Sequence, residues 1–135
     1  NAVCKAIGGQ LAAITSQAEQ DFIEAEFAKL LDLKKTAANE NKELQLSDFW
    51  LGGQKIANFL KWLLNENSEE NAVSNFDGPW DSHNFAGKHN DQHNCLSIKN
   101  TDDNNSGKWK YADCRNKNFI ICQKRKNNAR VYRFR

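Results

Sequence analysis

Apolar residues at Ile23, Phe27, Leu30 and Leu31 follow the i, i+4, i+7, i+8 spacing of one helix face and predict an amphipathic helix over residues 17–33. Ser16 with Glu19 three residues later supplies a capping box at its start. Upstream, residues 2–7 read as a short helix stopped by Gly8-Gly9, and Leu11, Ala13 and Ile14 then alternate as in a short strand. Residues 34–48 are polar and rich in lysine and asparagine, as a surface connection is. Phe49-Trp50-Leu51 enters behind them as a buried strand that ends in Gly52-Gly53. Regular periodicity then thins. Residues 65–94 hold one proline, two glycines and no sustained period, with Phe76, Trp80 and Phe85 as aromatic anchors. A loop of that length inside a compact domain is usually functional. Order returns as three short strands, around Cys95-Leu96-Ser97-Ile98, Lys108-Trp109-Lys110-Tyr111 and Phe119-Ile120-Ile121-Cys122, with a polar turn after the first.

At 135 residues the chain makes one domain, and no apolar run approaches the roughly 20 residues of a membrane span. The net charge of +2 is unevenly distributed. Residues 123–135 carry six bases and no acid, so residues 1–122 hold 13 bases against 17 acids. A neutral-to-acidic body with one basic end argues against a nucleic-acid-binding domain. Cys4, Cys95, Cys114 and Cys122 form an even, widely spaced set with no CxxC pair and read as two disulfides, for which three pairings are open. Such a set belongs to an oxidising compartment, and Asn104-Asn105-Ser106 is a glycosylation sequon that only a protein of the secretory pathway uses. The chain is therefore expected to be secreted. It opens inside the first helix-like stretch, so a preceding segment is expected to lie outside it.

Cys4-x3-Gly8-Gly9-x-Leu11-Ala12-x-Ile14, Ser16-x2-Glu19, Phe49-Trp50-Leu51-Gly52-Gly53, Cys95-x-Ser97-Ile98, Gly107-x-Trp109-x4-Cys114 and Phe119-Ile120-x-Cys122 occur in one order. The succession resembles the C-type lectin-like domain. The resemblance implies an α+β fold, with two helices flanking small antiparallel sheets, a long ligand loop, and bridges joining Cys4 to Cys122 and Cys95 to Cys114. It places the domain at residues 1–123, followed by a basic C-terminal tail at 124–135. In the family an N-terminal strand precedes the first helix and pairs near the C-terminal strand. The chain starts too late to contain it, and Val131-Tyr132-Arg133-Phe134 has the composition of a replacement.

Sugar-binding members of the family hold one calcium ion through a Pro-containing tripeptide, a Glu before the third cysteine and Trp-Asn-Asp before the fourth. Calcium needs six to eight hard oxygen ligands. Here the tripeptide is missing, His93 stands at the Glu position, and Lys110-Tyr111 follows Trp109 where Asn-Asp belongs. No calcium cofactor is expected. Asp77, Asp81, Asn84, Asn90, Asp91 and Asn94 remain as oxygen donors but read as solvated loop residues. His83, His89 and His93 would approach zinc spacing only on a helix, which this Asn- and Gly-rich stretch disfavours. His83, Asn84, Asn90, Asp91, His93 and Asn94 thus remain loop candidates for direct ligand contact, with no metal assigned. No nucleophile motif, phosphate loop or apolar carboxyl pair points to an enzyme.

The basic end carries the functional expectation. Lys124, Arg125, Lys126, Arg130, Arg133 and Arg135, joined by Lys108 and Lys110 on a nearby strand, would gather acidic glycans or microbial surface polysaccharide by charge-assisted hydrogen bonds. Innate immune recognition is the expected setting. The alternative is a protein-interaction module that binds no sugar and pairs with a second lectin-like subunit.

Overall fold

The computed structural model describes residues 2–37, 48–56, 59–63, 71–72, 76–81, 93–101, 104–126 and 129–134. The first helix, α1 (Ala2–Ala6), ends where expected. Gly8 takes φ 78°, the Gly9 N–H donates to Cys4 O at 2.8 Å and the Gly8 N–H to Lys5 O at 2.9 Å. This pair of bonds is a Schellman stop, which needs a residue free to adopt left-handed backbone. After β1 (Gln10–Leu11), residues Ala12, Ala13 and Ile14 run fully buried into the cap of α2 (Gln17–Ala37). Ser16 Oγ accepts from Glu19 N–H at 3.2 Å, while the Glu19 carboxylate accepts from Thr15 N–H at 3.1 Å, one residue further back than in a standard capping box. The helix outlasts the predicted end at 33, because lysines favour a helix C-terminus and Lys34 covers the Phe119 ring at 5.8 Å.

Strand β2 (Phe49–Ile56) does not stop at its glycines. It continues through them and returns as β3 (Phe59–Leu63), a strand that the periodicity does not show, followed by β4 (Asn71–Ala72). The glycines mark close approaches instead. A Cβ at Gly52 would stand 2.8 Å from Leu11 O, and one at Gly53 would stand 2.8 Å from both Leu60 and Leu96. The three later strands are β5 (His93–Ile98), β6 (Trp109–Asp113) and β7 (Phe119–Lys126), and β8 (Ala129–Phe134) turns back along β7. Residues 124–126 and 129–134 therefore continue the sheet rather than trail from it.

Across the sheet the order is β6-β5-β2-β7-β8, antiparallel except for the parallel β2/β7 pair, with β1 beside β7 and β3 beside the far half of β2. One face packs against α2: Phe27 stacks on Phe49 at 5.2 Å, Phe134 meets both edge-on, and Tyr132 lies 5.5 Å from Phe22. On the other face α1 is pinned by the Cys4–Cys122 bridge among Ile7, Leu11, Trp50 and Ile120. The second bridge joins Cys95 to Cys114, so both pairings are those the resemblance implies. Among the described residues no helix is long and apolar enough to cross a membrane.

Candidate functional site

Trp109 organises the end of the sheet where a cation would be expected. It is fully buried, with Trp62, Phe76 and Trp80 meeting it edge-on at 5.5 to 5.9 Å. Its Nε1–H donates to Gln20 Oε1 at 2.9 Å, and Gln20 Nε2 donates to Gly107 O at 2.8 Å. Gln20, a polar side chain on the buried face of α2, thereby locks the helix to the turn before β6. It escapes the sequence reading, although a glutamine three residues ahead of Ile23 on an apolar stripe is the signal that marks it.

The side chains that follow Trp109 do not suit calcium. Lys110 Nζ pairs with Asp48 at 2.8 Å on the α1 side of the sheet. Tyr111 points to the opposite side, packs against Trp80 at 5.1 Å and has Lys55 Nζ 5.5 Å over its ring. Burial pushes its phenol up to about 12, so at neutral pH it offers a cation no negative charge. Asp81 is 4% exposed and bound to Lys99 at 2.8 Å, and Asp77 accepts the Trp80 Nε1–H at 2.7 Å. His93 opens β5 opposite Asp113. The Arg115 guanidinium and backbone N–H hold the Asp113 carboxyl well down, at about 2, with His93 adding a smaller pull. Asn94, beside His93, is half-buried. Among the described residues no three His, Cys, Asp or Glu side chains converge as a metal site. His83, Asn84, His89, Asn90 and Asp91 lie outside the described residues.

The bases expected to act together are split. Lys108 and Lys110 lie before and on β6, four strand positions from β8, a distance of about 19 Å at the usual strand spacing. The expectation of one continuous surface with β6 is thus corrected, because β5, β2 and β7 intervene. Strand alternation divides the hairpin as well. Arg130 lies on the α2 side, where its Nη1 binds Glu19 Oε2 at 2.8 Å and Ala13 O at 3.4 Å. Arg133, opposite Cys122, and Lys124, opposite Val131, are diagonal neighbours on the α1 side; both are exposed, and among the described residues neither is ion-paired. Lys124 Nζ lies 3.7 Å from where a Gly8 Cβ would stand, at the end of α1, and Lys5 is exposed on the same helix. Arg125 and Lys126 belong to β7, and Arg135 lies outside the described residues.

The family model described as Lectin C-type domain matches residues 1–124. No curated protein matches the chain. Among solved structures, the human scavenger receptor C-type lectin carbohydrate-recognition domain is 18% identical with a TM-score of 0.61, over 93% of this chain and 79% of that one. The mouse scavenger receptor domain is 17% identical with a TM-score of 0.55 over the same shares. At these identities the likeness is one of fold, and it agrees with the two helices, the mixed sheet and the two bridges. With the family model covering all but the final residues, the chain belongs to the C-type lectin domain family.

Proposed function

We propose that this domain is a secreted carbohydrate-recognition module that binds acidic glycans, such as glycosaminoglycans or microbial surface polysaccharide, without a bridging calcium ion and in an immune setting. One observation carries the reading: Lys124 and Arg133 stand exposed and, among the described residues, without an ion-pair partner on the α1 side of the β7–β8 hairpin, while Arg130 and Lys110 are engaged by Glu19 and Asp48. Exposed guanidinium and ammonium groups on neighbouring strands suit sulfates and carboxylates spaced along a polysaccharide. The two closed disulfides support secretion.

Heparin chromatography tests this reading. The wild-type domain should be retained at low salt and elute early as salt rises, since screening shortens the reach of charge from about 10 Å at 0.1 M. Lys124→Ala with Arg133→Ala should remove most of that retention. Arg130→Ala should leave elution nearly unchanged while lowering stability by about 1 kcal/mol through loss of a partly exposed ion pair. Flow-through of the wild-type protein at low salt would remove the proposal.

A calcium titration followed by thermal unfolding should show no rise in melting temperature that a chelator reverses. A ligand at 100 times its dissociation constant would add about 2.7 kcal/mol, a shift of several degrees, so the absence of one is readable. The protein-interaction alternative has its own support in Phe59, which is 68% exposed opposite the exposed Ile56 at the end of the β2–β3 hairpin. Light scattering of the domain mixed with a second lectin-like subunit, with and without Phe59→Ser, tests that contact.

A further inference from the structure

The turn between β5 and β6 holds the single Asn-x-Ser/Thr sequence in the chain, Asn104-Asn105-Ser106. Asn104 and Asn105 are both exposed there, and among the described residues the Asn104 carboxamide makes no hydrogen bond. The backbone behind it is fixed. Gly107 N–H donates to Lys99 O at 2.7 Å, Lys99 N–H to Lys108 O at 2.8 Å, and Lys108 N–H to Asn105 O at 3.2 Å. Ser106 Oγ accepts from Thr101 N–H at 3.4 Å, so the sequon hydroxyl has a part in the turn, whereas the asparagine side chain has none. Two closed bridges suit an oxidising compartment, the same pathway in which sequons meet the glycosylation machinery.

We propose that Asn104 carries an N-linked oligosaccharide. The co-reactant is an oligosaccharide joined to a lipid through pyrophosphate. The Asn104 Nδ2 forms a bond to the anomeric carbon as that carbon's bond to the phosphate oxygen breaks, the amide gives up one proton, and the lipid pyrophosphate leaves with the electron pair. Asn104 is exposed and, among the described residues, its side chain holds no hydrogen bond that attachment would break. The turn is anchored to α2 through Gln20, whereas Lys124 and Arg133 lie on the α1 side of the sheet. The attached glycan therefore leaves the proposed ligand surface open.

The test is intact-mass analysis of the protein secreted from eukaryotic cells, after its two disulfides have been verified. Wild type should carry the added mass of one oligosaccharide, removed by an amidase that leaves aspartate at 104. Asn104→Gln and Ser106→Ala should both lose it completely, while Ser106→Thr, which keeps the hydroxyl, should retain it. Thermal unfolding of Asn104→Gln should match that of enzymatically deglycosylated wild type within a degree or two, showing that the loss is not misfolding. Secreted, correctly bridged protein with an unmodified Asn104 overturns the proposal, and so does added mass that persists in Asn104→Gln.

Discussion

Replacing Cys4 and Cys122 together by alanine should lower the melting temperature by about 15 °C. The bridge spans 118 residues, and closing a loop of that size in the unfolded chain is worth about 5 kcal/mol on a chain-entropy estimate. For a domain of this length each kcal/mol moves the transition by about 3 °C. Both cysteines are fully buried, so the substitution also thins the small cluster of Ile7, Leu11, Trp50 and Ile120 beneath α1. The Cys95–Cys114 bridge closes only 19 residues and is worth about 3 kcal/mol, so its removal should shift the transition less. Differential scanning calorimetry of the two double variants distinguishes them. Equal shifts would show that the long loop is already constrained in the unfolded state.

Trp109→Ala should cost about 3–5 kcal/mol, enough to unfold much of the population at 37 °C. The change removes a fully buried indole that three aromatic rings meet edge-on, and it strips Gln20 of the donor to its Oε1. Trp109→Phe separates the two losses. It keeps much of the ring packing and leaves the buried amide oxygen unsatisfied, at about 1–3 kcal/mol. Urea unfolding, with its slope unchanged from wild type, reads both values. If Trp109→Phe were neutral, Gln20 would have found water or another donor, and the link between α2 and the β6 turn would rest on the Gly107 contact alone.

The first helix, the cap of the second and the strands that carry Cys95, Trp109 and Cys122 were legible because local signals decide them: a glycine stop, a Ser/Glu pair and short β-rich runs. Strand β3 was not. Two consecutive glycines look like punctuation, yet Gly52 and Gly53 are small because Leu11, Leu60 and Leu96 crowd them, a fact that only the packed sheet contains. Val131 to Phe134 could be read from composition as a strand replacing one that pairs near the C-terminal strand, and it does lie along β7. The acids that engage two of the predicted ligand-binding bases, Glu19 for Arg130 and Asp48 for Lys110, lie far away in sequence. Charge counting alone therefore overstates how many cations are unengaged; among the described side chains of the C-terminal hairpin, Lys124 and Arg133 are exposed.

The bond between Cys4 and Cys122 also determines how the domain bears tension. A pull entering ahead of Cys4 and leaving beyond Cys122 passes through one covalent link, so α2 and the central strands carry none of the load. Apart from the residues ahead of Cys4, the segment after Cys122 is what lies in series with the force. There β8 runs antiparallel to β7, with Phe134 beside Ile121, so traction on the C-terminal side opens the hairpin like a zipper, one backbone pair at a time. Under strain the domain would lengthen by that short unzipped stretch and then become inextensible, a clasp whose yielding part is the strand that carries Arg133.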